Sequence, residues 1–186
     1  MKLAELKKEI AHSYANPDAS TAAYLSYAQM LDTLEDGVAP YMRRIRAAFL
    51  GSFTIQGLAD VCRAKGLFHN LLMECFTAPY NQFSQVILSP ESDLYMFNPQ
   101  LIYLAIDAPD ILNEAHIQDL INTLEEKTNA TIVLFNFISS PGVDDARATK
   151  LNTQLIEQYK NNSRVHVFDF ASWLMRMGRE KYWYTK

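Results

Sequence analysis

Very little in this chain is suited to cross-linking. Among 186 residues only Cys62 and Cys75 are cysteines. Two thiols make neither a disulfide framework nor a zinc quartet, and both read as small buried hydrophobes. Six glycines and seven prolines exclude a collagen-like or linker-rich chain. No window approaches the ~18 consecutive apolar residues that mark a membrane span. The stretch Met1–Glu9 is charged throughout and lacks the apolar core of a signal peptide. The expected location is therefore the cytoplasm, with no membrane partner. Basic excess is missing too. Seventeen Lys and Arg stand against twenty-one Asp and Glu, a net charge of −4, so no global field invites nucleic acid. Histidine is scarce, with only His12, His69, His116 and His166. No His-Glu-x-x-His, calcium-loop or Gly-x-Gly-x-x-Gly pattern occurs, so no metal or dinucleotide cofactor is expected.

What remains is a chain with 49% hydrophobic and 20% charged residues, composition enough for a real core in about one domain. Leu3, Leu6, Ile10 and Tyr14 repeat at helical spacing. Asn16-Pro17-Asp18 ends that helix, and Ser20 caps a second one that runs through Tyr24, Tyr27, Ala28, Leu31 and Leu34 to a stop near Gly37. Residues 1–40 thus read as a helical lead-in packed on a main body over 41–186.

From Arg43 onward the pattern changes. Apolar runs at 45–50, 71–76, 101–106, 131–135 and 165–168 read as strands. Between them lie helical patterns at 54–64, 111–126 and 146–159, with a last helix over 173–177 and a short one around Gln82–Leu88. The rest of 77–99 reads as loop, given Pro79, Pro90 and Pro99. Short, near-continuous apolar strands alternating with helices predict an α/β fold, a parallel sheet covered on both faces.

In such a sheet ligands bind beyond the carboxyl ends of the strands. The polar residues just past the apolar runs are therefore the candidates: Ser52, then Tyr80, Asn81 and Gln82, then Asp107, Asn136 and Asp169. Ser52 follows a strand and a glycine and precedes a helix. It is either a nucleophile or, with Thr54, a source of the helix cap. Asp107 and Asp169 are carboxylates for a cation or a base, or caps of the helices that follow, and capping is the preferred reading. Asn136 interrupts an apolar run, so its amide needs partners from loop backbone or ligand. None of the four histidines follows the carboxyl end of a predicted strand, which argues against a serine hydrolase. Arg43, Arg44 and Arg46 precede the first strand as a solvated strand start or a docking surface.

Several of these segments together resemble a known family. They are Phe49-Leu50-Gly51-Ser52-Phe53-Thr54, Pro79-Tyr80-Asn81-Gln82-Phe83 and the run from Gln85 through Ser89-Pro90-Glu91-Ser92-Asp93 to Pro99. Asn136-Phe137 and Gly178-Arg179-Glu180-Lys181-Tyr182-Trp183-Tyr184 extend the likeness. The chain resembles, over roughly residues 43–186, the N-terminal domain of FkbH-type glyceryl-loading proteins. That domain is similar to the SGNH hydrolase fold and precedes a haloacid-dehalogenase-like domain. The resemblance implies a three-layer, flavodoxin-like fold with five parallel strands in the order 2-1-3-4-5. It aligns Ser52 with the SGNH nucleophile and makes Asn136 a polar group of the same cleft. The Asp-x-x-His of active SGNH enzymes has no counterpart in residues 180–186.

The resemblance therefore implies a non-hydrolytic accessory or binding domain of a protein that loads a glyceryl or related acyl unit onto an acyl carrier protein. The carrier and the dehalogenase-like domain are the implied partners. With the aromatic Tyr182-Trp183-Tyr184 close to Lys186, the chain reads as a domain of a longer protein. An SGNH-like esterase or acyltransferase, using Ser52 with Asp107 or Asp169 as an atypical base, is the alternative, and a purely structural role the third reading.

Overall fold

Residues 3–16, 20–34, 42–106, 114–138 and 145–177 are described in the computed structural model of the chain. Each apolar run becomes a strand: β1 (Arg43–Gly51), β2 (Leu71–Thr77), β3 (Leu101–Ala105), β4 (Thr131–Phe135) and β5 (Val165–Phe168). All four pairings are parallel, and the strand order is β2-β1-β3-β4-β5. This is the expected α/β fold and the expected order. Because β2 and β3 flank β1 on opposite sides, the chain reverses its direction of winding beside β1. That reversal opens a crevice at the carboxyl ends of β1 and β3.

The helices are α1 (Leu3–Ala15), α2 (Thr21–Asp32), α3 (Gln56–Phe68), α4 (Phe83–Leu88), α5 (Asp93–Phe97), α6 (Glu114–Lys127), α7 (Asp145–Tyr159) and α8 (Phe170–Met177). One face of the sheet packs Leu50, Ile102, Leu104, Ile132 and Leu134 against apolar residues of α4, α5, α6 and α7. The opposite face packs Ala47, Phe49 and Met73 of the sheet against Ala59 of α3. The lead-in helices lie outside α3, where Leu6, Ile10 and Leu31 bury against Leu67. Ser20 caps α2 as expected, accepting from the Ala23 N–H at 3.3 Å.

Three local features depart from the sequence reading. The five-residue helix α5 lies in a stretch read as loop, because one and a half turns are too short to show helical periodicity. The residue capping α3 is Ile55, with no side-chain cap bond, so neither Ser52 nor Thr54 has the capping role. The last helix begins at Phe170 rather than Trp173. Gly37 and Asp107 lie outside the described residues.

Candidate binding site at the carboxyl edge of the sheet

The crevice is built around a close approach of two backbones. Gly51, the last residue of β1, pairs with Ala105, the last residue of β3. A Cβ on Gly51 would lie 2.9 Å from the Ala105 carbonyl oxygen, so only glycine fits there. The next residue, Ser52, donates its N–H to that same carbonyl at 3.2 Å and is 4% exposed. Ser52 is therefore locked beneath the edge of the sheet while its neighbour Phe53 projects outward, 44% exposed.

Beside Ser52 lies a cavity of about 250 Å³, walled by Phe53, Ala105, Ile106, Phe135, Ile138 and Phe170, with Asn136 as its polar member. The elements bring these walls together for simple reasons. The runs that form β3 and β4 end level with one another, so Ala105 and Ile106 meet Phe135 and Ile138 at one edge. Phe170 comes from the first turn of α8 and lies 5.6 Å from the Phe135 ring.

Asn136 is 3% exposed, and both atoms of its amide help to hold α8. Its Nδ2 donates to Asp169 Oδ1 at 2.7 Å, and its Oδ1 accepts from the Ala171 N–H at 2.8 Å. Asp169 Oδ1 also accepts from the Ser172 N–H at 3.2 Å. The hydrogen bond with the Ser172 side chain, helped by that of Asn136, holds the Asp169 carboxyl below its ordinary range, against an opposing desolvation. Asn136 and Asp169 thus jointly cap α8, which satisfies the N-terminal donors a helix leaves open. The partners that the Asn136 amide needs come from the protein backbone and a carboxylate. On the other flank, Asn152 of α7 clamps Phe137 by donating to its carbonyl at 2.8 Å and accepting from its N–H at 2.7 Å.

Tyr80, Asn81 and Gln82 also sit past a carboxyl end, that of β2, but belong to a different surface. Pro79 to Gln82 form a turn closed by a 3.0 Å Gln82 N–H to Pro79 carbonyl bond. Asn81 takes φ 54° at the position where such a turn needs a positive value. Tyr80 is 70% exposed. Gln82 lines a second cavity of about 390 Å³ with a mixed lining that includes Phe76, Val86, Gln85, Glu91 and Asp93. The sequence-derived set is therefore divided: Asn136 lines the first cavity and Ser52 precedes its wall residue Phe53, while Gln82 lines the second.

The histidines are placed unevenly. His69 follows α3 at the opposite edge, in edge-to-face contact with Phe68. His166 is in β5, opposite Val133, and His12 is in α1. His116 belongs to the first turn of α6, with Nε2 3.2 Å from Ser84 Oγ of α4. That contact was not readable from the sequence, because residues 84 and 116 come together only when α4 and α6 pack on the same face. It bridges the two helices on the side of the sheet opposite the α3 layer. Both cysteines lie on the α3 side, and burial pushes the thiol of Cys75 up to about 12 and that of Cys62 upward. Among the described residues no helix is long and apolar enough to cross a membrane, and no cluster of three or more metal-ligating side chains is present.

No protein-family model matches the chain, and no curated protein matches it. Among solved structures, the chain is similar over 97% of its length, at 18% identity and a TM-score of 0.65, to the N-terminal part of the protein BF1531 from Bacteroides fragilis, containing a phosphatase domain and complexed with Mg. The two share the fold. The chain spans about half, 48%, of that solved structure.

Proposed function

We propose that the chain is a non-hydrolytic accessory domain of an FkbH-type protein, a binding module that presents an acyl carrier protein to a separate dehalogenase-like domain. One observation carries this reading. Asn136 and Asp169, polar groups near the Ser52 crevice, bond each other and cap α8, and the other cavity walls among the described residues are apolar. A serine nucleophile needs a base within about 3 Å and a donor set for the developing oxyanion; a cleft of this composition is suited to holding a ligand instead. The similarity to part of a protein that contains a phosphatase domain supports the association with a dehalogenase-like partner. The SGNH-like part of the reading rests on the sequence resemblance.

The test uses the chain with a serine-reactive phosphonate and short-chain aryl esters, beside the Ser52→Ala and Ser84→Ala variants. The expected outcome is no turnover and no labelling of Ser52 above the alanine control, together with saturable binding of a holo acyl carrier protein. Phosphonate labelling that disappears in Ser52→Ala would make the domain an esterase or acyltransferase. Labelling lost only in Ser84→Ala would move the activity to the Ser84–His116 contact. No carrier binding at all would remove the accessory role.

A further inference from the structure

The sheet has two outer strands, and they differ. β5 has only four residues, a length that blunts an edge. β2 has seven, Leu71-Leu72-Met73-Glu74-Cys75-Phe76-Thr77, with no proline or lysine among them. Among the described residues β2 pairs with β1 alone. Two bonds fix which of its backbone groups face β1: Arg43 N–H to the Asn70 carbonyl and Ala78 N–H to the Phe49 carbonyl. Alternate residues of a strand turn their N–H and C=O to opposite sides. The even-numbered residues therefore face β1, and the N–H and C=O groups of Met73, Cys75 and Thr77 point outward.

Two cavities flank this outer edge. One, of about 520 Å³, meets four consecutive residues of β2, Leu72 to Cys75, together with Leu31 and Arg63. Consecutive side chains of a strand point to opposite faces, so a space that meets all four lies along the edge itself. The other is the cavity of about 390 Å³ beside α4, and Thr77 lines both. Their chemistry differs. In the first, Arg63 is already paired with Asp32 and Asp60, which leaves Leu31, Leu72 and Met73 as an apolar lining. The second presents the carboxylates of Glu91 and Asp93 near Phe76 and Val86, and no Lys, Arg or His lines it. Neither carboxylate has an ion-pair partner among the described residues.

We propose that the outer edge of β2 binds an extended segment of a partner protein in which apolar residues alternate with lysine or arginine. Such a segment would add a strand to the sheet through the outward groups of Met73, Cys75 and Thr77, and its side chains would alternate between the two cavities. The apolar ones enter the space beside α3. The basic ones lie along Phe76 and Val86 with the charge at Glu91 and Asp93, as a long basic side chain covers apolar surface while its head stays wet. About five residues, at ~3.3 Å each, reach from Met73 to Thr77. The proposal stands whether or not the Ser52 crevice has the accessory role.

The probe is a fluorophore-labelled heptapeptide alternating valine and lysine, added at low salt to the whole chain. Saturable binding is expected by anisotropy, and hydrogen exchange at the amides of Met73, Cys75 and Thr77 should slow. The same peptide with glutamate for lysine should bind at least roughly tenfold more weakly. N-methylation of the peptide amides should abolish binding. Glu91 and Asp93 are exposed, so Glu91→Gln with Asp93→Asn should leave the fold intact. That pair of substitutions should weaken the lysine peptide by roughly threefold to tenfold and leave a peptide with glutamine for lysine unchanged. The proposal is overturned by no binding, by equal binding of the lysine and glutamate peptides, or by binding that leaves the three amides exchanging as before. Slow exchange at those amides without peptide, together with concentration-dependent dimerisation in sedimentation, would assign the edge to a second copy of the chain and overturn it as well.

Discussion

The two faces of the sheet are built for different work. Along β4 the contrast appears in adjacent residues. Ile132 and Leu134 are fully buried under α6 and α7, while Val133 and Phe135, pointing the other way, are only partly covered. The covered face is aliphatic and close-packed. The other face is a row of rings from Phe49 and Tyr103 through Phe135 to Phe168 and Phe170, with successive centroids 4.7 to 6.3 Å apart, and Phe168 is 40% exposed. The first face is covered by four helices, whereas the second is covered by α3 over β1 and β2 and by the short α8 beside β4. The cavity lies at the edge of the second face, where Phe135 of β4 meets Phe170 of α8. The larger buried cluster is on the first face, and the second face carries the cavity at its carboxyl edge.

Substitutions in one strand test that division most directly. Ile132→Ala should destabilise the protein by about 2–5 kcal/mol, the usual range for a buried isoleucine truncated to alanine. The neighbouring Val133→Ala should cost about 1 kcal/mol, since its methyl groups leave water only in part. Urea unfolding of both variants measures the difference, and equal losses would erase the distinction between the faces.

A smaller effect is expected where the ring-lined face is fastened. Asn136→Ala removes the link from β4 to α8 and leaves the Ala171 N–H without its acceptor, at about 1–3 kcal/mol. The near-ultraviolet signal of Trp173 should weaken with it, because α8 carries that ring. An unchanged signal would mean that α8 is held by its apolar contacts alone.

The smallest effect is on acid sensitivity. The folded Asp169 carboxyl is held below its ordinary value of 3.8, first by the Ser172 hydrogen bond. Its stabilisation is therefore fully present above about pH 4 and is lost as pH falls through the lower, folded value. Asp169 is exposed, so the effect is modest. Between pH 5 and 3 the unfolding midpoint should fall more for the natural chain than for Asp169→Asn. Parallel pH curves for the two proteins would show that the carboxylate contributes nothing to the cap.

Much of the architecture could be read before any coordinates. The apolar runs at 101–106 and 131–135 are short, rich in branched residues and bounded by polar ones, and they became β3 and β4 nearly to the residue. α5 escaped because its five residues are fewer than a periodicity can report. The candidate site was only partly legible. Ser52, Gln82 and Asn136 each lie past the end of a strand, a rule that locates an edge of the sheet but not a position along it. The rule could not show that Gln82 faces a different cavity from Asn136. Nor could it show that the Asn136 amide is used by Asp169 and Ala171, because those partners lie 33 and 35 residues further along the chain.

The sequence by itself determined which segments form strands, the parallel winding that connects them and the edge at which polar groups emerge, since these follow from local periodicity and from the handedness of strand–helix–strand connections. Only the tertiary structure decided what that edge offers. Whether a polar residue is free to meet a ligand depends on the hydrogen bonds it makes with distant segments, and whether a wall is open depends on how far a helix from another part of the chain extends across it. Here α8 takes up the amide of Asn136 and sets Phe170 beside Phe135, and the described walls of the cavity are mostly apolar.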